Sequence, residues 1–284
     1  MPELPEVETV KRGITPLLEG QHIVRVIKRR EGLRIPFPEN FEKRIEGARV
    51  DRVARRAKYL LIYLCRSGAA PEILICHLGM SGKIDLKAAK NRTSPEEYEK
   101  HDHVIFETGR GDLLIYNDPR RFGLMDICGA AEIEEHRFFK NMGPEPLGNE
   151  FDDISLSKSL THKKTPIKSA LLDQRVVVGL GNIYVCEALF EAGLSPFQSA
   201  HEVAGAGAEK LVPLIREILR RAIAAGGSTL KDYAQVDGEL GYFQHQFKVY
   251  GREGEDCVRE GCNARIERAV QGGRSTFYCP HCQA

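Results

Sequence analysis

Hydrophobic and polar positions alternate in two different ways along the chain. Between residues 22 and 128, short runs rich in β-branched and aromatic residues are separated by turn residues, a pattern typical of β-strands. Between residues 151 and 225, apolar residues recur at helical spacing instead. Many short strands followed by a run of helices indicate an α+β protein. We therefore expect an N-terminal β-sandwich with a helical region after it.

A helix is predicted over residues 5–19, ahead of the strands. Pro5 suits the first turn of a helix and Glu6 suits its positive end, while Gly20 suits its termination. This helix is expected to flank the sandwich. The predicted strands span residues 22–28, 49–54, 59–65, 72–77, 104–107 and 113–116, with a hairpin turn at 109–112. The later predicted helices begin near residue 155, span 166–175, begin at 182 and span 208–225.

The pattern predicts four segments. We expect the sandwich domain over residues 1–130, a linker over 131–150 and a helical domain over 151–248. The cysteine-rich residues 249–284 form the last segment. Within the helical domain, residues 228–248 show no clear period and are predicted to be a long loop, and such loops are usually functional or disordered.

Composition narrows the class of protein only modestly. Hydrophobic residues make up 42% and charged residues 29%, which is ordinary for a globular protein. No apolar run approaches the ~20 residues that span a bilayer, and the acidic N-terminus is unlike a signal peptide, so we expect a cytoplasmic protein without a membrane partner. The net charge of +1 does not by itself indicate nucleic-acid binding. A nucleic-acid surface would require the basic residues to be segregated in space.

The cysteines fall into two groups. Four lie scattered in apolar stretches and are expected to be small buried side chains: Cys65, Cys76, Cys128 and Cys186. The other four form a C-x4-C pair and a C-x2-C pair near the end: Cys257, Cys262, Cys279 and Cys282. Thiolates at these spacings can converge on one tetrahedral Zn²⁺, with a β-hairpin between the pairs. We predict one structural zinc, with His281 as a possible substitute ligand.

The first residues carry candidate catalytic groups. Removal of Met1 is expected because Pro2 is small, which leaves a secondary amine with a reference pKa of about 8. Such an amine can attack an electrophilic carbon and form an iminium. Glu3 and Glu6 are adjacent carboxylates that could act as general acid or base. On local pattern alone, the favoured interpretation is that these residues only start a helix.

The sequence Gly-Leu-Gly-Asn at residues 179–182 precedes a predicted helix. Asn182 would then be the N-cap, and the free N–H groups after it would form a phosphate site. A purely structural cap explains the pattern equally well.

A turn at residues 118–123 joins two strands and carries two cations and an aromatic residue. An apolar wedge beside arginines is what a protein needs to unstack a base pair and hold the gap. Phe122 would be that wedge, and Met80 a second wedge residue. A tight turn with a buried Phe122 is the alternative.

Together these motifs resemble the formamidopyrimidine-DNA glycosylase family of bifunctional DNA glycosylases and abasic-site lyases. Leu4 favours this family over the similar endonuclease VIII branch, where glycine is usual at that place. One departure is the C-x4-C spacing of the first cysteine pair, since C-x2-C is more common in the family. The matching stretches run in family order along the chain: residues 2–9, 55–60, 77–82, 101–104, 118–123, 178–184, 227–232 and 274–279.

The resemblance implies a helix–two-turn–helix domain, a zinc-finger β-hairpin and a set of catalytic residues. Pro2 would attack C1′ of the damaged nucleotide, and Glu3 would donate the proton that assists sugar ring opening. Lys58 corresponds to the family's β-strand lysine, which contacts the phosphate near the lesion, and is grouped with Arg274 among the catalytic residues.

The resemblance also implies a DNA-binding set. Met80, Arg120 and Phe122 would fill the hole left by the extruded base. The region 228–247 would be the lesion-recognition loop. The expected DNA contacts are His77, His101, Arg120, Arg121, Asn182 and Lys231.

The expected function is base-excision repair. The enzyme would remove 8-oxoguanine and formamidopyrimidines from double-stranded DNA through a Pro2 iminium, cleave the strand by β,δ-elimination and act as a monomer. Two alternatives remain at this level: an endonuclease VIII-like glycosylase for oxidised pyrimidines, and a non-catalytic zinc-ribbon protein that binds damaged DNA.

Overall fold

The structure is a computed structural model that describes residues 2–89, 98–228 and 241–283. The chain divides into two compact units. The first comprises Met1–Lys140 and Ala225–Tyr242, and the second Asn141–Ala224 and Phe243–Ala284. The four-segment division stays a prediction. None of the described helices is long and apolar enough to cross a membrane.

The first unit contains helix α1 (Leu4–Leu18), the short helix α2 (Phe41–Ile45) and two antiparallel sheets. One sheet has the order β1-β6-β7-β5 and the other the order β2-β3-β4-β8. The strands are β1 (Ile23–Lys28), β2 (Arg49–Arg56), β3 (Tyr59–Cys65), β4 (Glu72–His77), β5 (Lys83–Lys87), β6 (Asp102–Thr108), β7 (Leu113–Asn117) and β8 (Leu124–Gly129).

The core of this unit forms because α1 and both sheets each bury one apolar face. Along α1, Val7, Val10 and Ile14 recur at helical spacing and are all buried. They join side chains from both sheets, such as Leu60 and Val104, in one continuous cluster. The prediction of a β-sandwich with a flanking helix is confirmed.

Two strands were missed by the sequence pattern, β5 and β8. Each pairs with one neighbour at the edge of its sheet, β5 with β7 and β8 with β4. The sequence of β5, KIDLK, is rich in charge, which is unfavourable in a central strand but common at an edge. Pairing with β7 therefore determines this strand more than its own residues do.

The second unit is helical and ends in a hairpin. Its elements are α3 (Asp153–Leu160), α4 (Ile167–Leu172), α5 (Asn182–Ala192), α6 (Ala206–Ala224), β9 (Glu267–Gln271) and β10 (Arg274–Tyr278). The side chains of α5 are buried almost all round, so α5 is the central helix. The helices lie where the apolar spacing predicted them, with ends shifted by a few residues.

The β9–β10 hairpin turns at Gly272 and Gly273, whose φ values are +55° and +75°. Two consecutive left-handed residues match the turn that best suits the twist of a two-stranded ribbon, and glycine adopts that conformation without strain. Behind the hairpin, Cys257, Ile266 and Cys279 pack with Cys186 and Phe190 of α5. The predicted hairpin between the cysteine pairs is thus confirmed.

Candidate functional site

The N-terminal residues form a buried, hydrogen-bonded start to α1. Pro2 is buried, and Glu3, the N-cap, is 1% exposed. The Glu3 N–H donates to Glu6 Oε2 at 2.8 Å. The other oxygen of Glu6 accepts from the N–H and hydroxyl of Ser228 at 2.8 and 3.0 Å. Because both of its oxygens accept hydrogen bonds, Glu6 is better suited to positioning than to proton transfer.

Lys58 lies in the turn between β2 and β3. Arg56 pairs with Tyr59, which leaves Ala57 and Lys58 as a two-residue turn. The predicted strands at 49–54 and 59–65 left Lys58 between them, and the left-handed φ of +54° at Ala57 ends β2 before Lys58. Tyr59 also pairs with His77 of β4, which brings Lys58 and His77 together.

His77 is a neutral hydrogen-bond donor at physiological pH. Burial lowers the pKa of His77 to about 4, and the nearby cations Lys58 and Arg34 act in the same direction. The Gly79 N–H donates to His77 Nδ1 at 2.9 Å, so the neutral ring carries its proton on Nε2. A neutral donor beside two cations suits a phosphate oxygen. The sequence pattern did not identify Arg34, because only folding brings this residue close to His77.

The imidazole of His77 should titrate far below an ordinary histidine. In the unfolded chain the His77 ring is protonated near pH 6.5, whereas in the folded chain it is protonated only near pH 4. The neutral ring therefore stabilises the fold above pH 6.5, and this contribution to the free energy of unfolding is lost as the pH falls toward 4. An NMR titration of the ring carbons, with the His77→Gln spectrum assigning the signal, should give a midpoint near pH 4. A midpoint at or above 6.5 would contradict the partly buried position of His77 beside the two cations.

Three predicted wedge residues project from two adjacent loops. Met80 is 36% and Phe122 is 44% exposed, so the alternative with a buried Phe122 is wrong. The Arg120 guanidinium carbon lies 4.7 Å from the centroid of the Phe122 ring, within cation–π range. Arg121 is exposed beside them, with a left-handed φ of +59°.

His101 is tied to the same turn through its backbone. Its carbonyl accepts from the Asp118 N–H at 3.0 Å. Its ring is partly buried and lies 6.3 Å, centroid to centroid, from His103. Lys231, predicted to bind DNA, lies outside the described residues.

Asn182 and Arg274 lie together in the second unit. Asn182 is the first residue of α5 and Gly181 is the N-cap, so the predicted N-cap role of Asn182 is wrong. Gly181 keeps an extended backbone, and helical geometry begins one residue later. The Asn182 side-chain amide donates instead to the Ser275 carbonyl at 2.8 Å. Arg274 is the first residue of β10, so this bond fixes the strand directly beside Arg274, whose side chain is exposed.

Lys168 of α4 is a buried cation that the sequence pattern did not single out. It is 1% exposed, and Nζ donates to the Ser275 carbonyl at 2.9 Å and to Thr276 Oγ1 at 2.7 Å. Burial lowers the pKa of Lys168, and nearby Arg274 acts in the same direction. No local motif marks such a lysine, because its partners lie far away in sequence.

Replacing Lys168 with methionine should loosen the strand that carries Arg274. The Ser275 carbonyl and the Thr276 hydroxyl would lose a charged donor, which costs about 2 kcal/mol of unfolding free energy. Urea unfolding of the variant, followed beside an exposed Lys140→Met control, measures this loss. Equal stability of the two variants would contradict the anchoring role.

The four C-terminal cysteines form a site that fits zinc. Their Sγ atoms all lie within 4.8 Å of one another, with Cys257–Cys282 at 3.9 Å and Cys262–Cys279 at 3.7 Å. A tetrahedral site with Zn–S bonds of about 2.3 Å has S–S edges of about 3.8 Å. The C-x4-C spacing therefore does not prevent convergence. His281 Nδ1 lies 3.5 Å from Cys262 Sγ, at the margin of the cluster.

Models of three domains of one family match successive parts of the chain. The formamidopyrimidine-DNA glycosylase N-terminal domain matches residues 1–125 and the formamidopyrimidine-DNA glycosylase H2TH domain matches residues 142–234. A zinc finger found in FPG and IleRS matches residues 254–284. Together they span most of the chain.

Whole proteins match over their full length. Formamidopyrimidine-DNA glycosylase of Ruegeria pomeroyi is 52% identical over 286 residues, covering 100% of both chains. A Lactococcus lactis FPG structure with Fapy-dG containing DNA is 35% identical, with a TM-score of 0.88 over 99% of both chains. Another, with oxidised-pyrimidine containing DNA, is 35% identical, with a TM-score of 0.87 over 99% of both chains. The chain therefore belongs to the formamidopyrimidine-DNA glycosylase family.

Proposed function

We propose that this chain is a base-excision-repair enzyme that removes oxidised purines, 8-oxoguanine and formamidopyrimidines, from double-stranded DNA. The match to curated relatives and FPG–DNA structures along the whole chain is the observation that carries the proposal. The site geometry supports it, because a neutral donor with two cations and an exposed wedge belong to one unit. The non-catalytic alternative is disfavoured by membership in a glycosylase family.

The proposed chemistry begins at Pro2. Once Met1 is removed, the Pro2 nitrogen attacks C1′ of the damaged nucleotide, the bond from C1′ to the base breaks, and the proton lost from the Pro2 nitrogen passes to the departing base. Glu3 protonates the ring oxygen as the sugar opens, and the nitrogen and C1′ become an iminium. Since this cation acidifies the C2′ proton, that proton is lost and the 3′ phosphate leaves, followed by the 5′ phosphate. A secondary amine suits this role because its imine adduct is always cationic.

The proposed DNA contacts divide between phosphates and the base stack. Lys58, His77, Asn182 and Arg274 would bind phosphates near the lesion, with His101, Arg121 and Lys231 as further contacts. Arg120 would hydrogen-bond the orphaned cytosine, while Met80 and Phe122 fill the gap. Base extrusion costs a few kcal/mol, which these contacts must offset.

The zinc would be structural. Its ligands would be Cys257, Cys262, Cys279 and Cys282. The metal would thus join the segment before the hairpin to the segment after it. Four protein ligands leave no open position for substrate, which is typical of structural zinc sites. Its role is thus to fix the strand on which Arg274 lies.

Parallel excision assays test the proposal. The protein is incubated with duplexes that carry 8-oxoguanine:cytosine, a formamidopyrimidine or an oxidised pyrimidine. The masses of the products are then measured by mass spectrometry. We expect oxidised purines to be released faster, with phosphate left at both ends of the gap. Glu3→Gln should slow release by about 10²- to 10⁴-fold, as for loss of a general acid. Faster release of the pyrimidine would favour the endonuclease VIII-like alternative, which the Lactococcus lactis complex keeps open.

The cytoplasm of a bacterium is the proposed location, supported by the bacterial source of the relatives. The working form is proposed to be a monomer.

A further inference from the structure

The first unit contains a buried carboxylate that the proposed chemistry does not use. Asp118 is 0% exposed. Its Oδ1 accepts from the Ser81 hydroxyl at 2.6 Å, and its Oδ2 accepts from the Gly123 N–H at 2.9 Å and the Tyr116 hydroxyl at 3.3 Å. Burying a carboxylate is costly even with such donors. The position therefore calls for an explanation beyond core packing.

Two of the three donors to Asp118 come from different loops, and the third, Tyr116, belongs to β7. Ser81 belongs to the loop that exposes Met80, and Gly123 ends the turn that exposes Arg120 and Phe122. A second bond reinforces the bridge, since the Arg120 N–H donates to Ser81 Oγ at 3.3 Å. The Ser81 hydroxyl thus connects the two loops directly.

The two loops are also in backbone contact. A Cβ atom on Gly79 would lie 2.4 Å from the backbone nitrogen of Gly123 and 2.4 Å from the carbonyl carbon of Phe122. Gly79 has a left-handed φ of +65°, so glycine meets both demands at once. The two loops are therefore in direct backbone contact at Gly79.

We propose that Ser81 and Asp118 are positioning residues, an inference that rests on the proposed function. They hold three side chains, Met80, Arg120 and Phe122, as one preformed wedge. A wedge built from two independent loops would have to be ordered during each insertion into the base stack, at a cost in conformational entropy. The hydrogen bonds through Asp118 order it in advance. Functional side chains must be held in place by the packing and hydrogen bonds around them, and the bonds through Ser81 and Asp118 do this for the wedge.

Ser81→Ala tests the bridge with little loss of volume. The variant removes both hydrogen bonds of the Ser81 hydroxyl, to Asp118 and from the Arg120 N–H, but leaves the bonds of Asp118 to Gly123 and Tyr116. We expect single-turnover excision from an 8-oxoguanine:cytosine duplex to fall about 10- to 100-fold. Borohydride trapping at a preformed abasic site, where no base must be evicted, should stay within about threefold of wild type. The control Ser159→Ala removes a hydroxyl bond of 2.9 Å to Ser155 in the second unit and should leave both rates unchanged.

A double variant separates positioning from general damage. If Ser81 acts only through the wedge, adding Ser81→Ala to Phe122→Ala should slow excision by less than about twofold, because the wedge is already lost. A role in overall stability would instead multiply the two losses. The fluorescence of 2-aminopurine beside the lesion reports wedge insertion without chemistry, and Ser81→Ala should reduce its change at saturating protein.

The outcomes distinguish this inference from the proposed function. If wild type releases none of the lesions, the proposed function fails and the inference fails with it. If wild type is active and Ser81→Ala excises at the same rate, only the inference is overturned. Equal losses in excision and abasic-site trapping would also overturn it.

Discussion

A chain in which the Pro2 nitrogen is held in an amide will form no borohydride-stable cross-link with abasic DNA, and its excision rate will fall on the order of 10³-fold or more. An iminium needs a nitrogen lone pair that is free to attack C1′. In an amide that pair is delocalised into the carbonyl, so the first covalent step is lost. The effect should exceed that of any phosphate contact, because every later step proceeds through this bond.

The comparison is made within one preparation. A cleavable extension is placed before Pro2, and the protein is assayed before and after a protease exposes the proline. Both forms should be tested for binding to a duplex with a non-cleavable abasic analogue, so that blocked binding is not mistaken for blocked chemistry. Cross-linking of the uncut form at the rate of the cut form would show that another amine is the nucleophile.

Replacing Cys279 with serine should have the second largest effect. Structural zinc contributes about 10–16 kcal/mol to the folding of zinc-finger peptides, far more than a hairpin of this size can gain from its own packing. Cys279 is 0% exposed and directly follows β10, so its loss removes a metal ligand and a core residue together. We expect zinc content to fall from one per chain to near zero, and excision to drop on the order of 10²-fold as Arg274 loses its support.

Two further variants make this measurement decisive. Cys65→Ser changes a partly buried cysteine of β3, in the first unit, and should keep both zinc and activity. Adding His281→Ala to Cys279→Ser removes the nearby nitrogen that could replace the missing thiolate. Full zinc content in that double variant would mean that the four cysteines are not the ligands.

The sequence could predict those parts of the fold that depend on local pattern. Strand β3 is almost entirely apolar and β4 has an apolar centre, and both were found from their residues, whereas the charge-rich β5 is an edge strand determined by its partner β7. Similarly, the motif at residues 179–182 located the start of α5 to within one residue. It could not distinguish Gly181 from Asn182 as the cap, because the amide of Asn182 is engaged by the distant Ser275.

The same limit applies to the candidate site. The cysteine ligands were predictable because short pairs on tight turns carry their geometry in their spacing. Arg34, Lys168 and Asp118 were not, since each is defined by partners from other elements. For Lys58, the resemblance supplied the expected role, and the predicted strands at 49–54 and 59–65 already placed the residue between them.

The packing of Cys186 and Phe190 against the cysteine cluster has a consequence for cells short of zinc. These residues belong to the central helix of the second unit, so loss of the metal would expose part of that unit's interior to water. The sandwich has a separate core of its own, so we expect it to stay folded. Under zinc starvation the second unit would then unfold while the first stays folded. Such a protein would be open to proteolysis in its second unit and unable to bind the lesions that accumulate under oxidative stress.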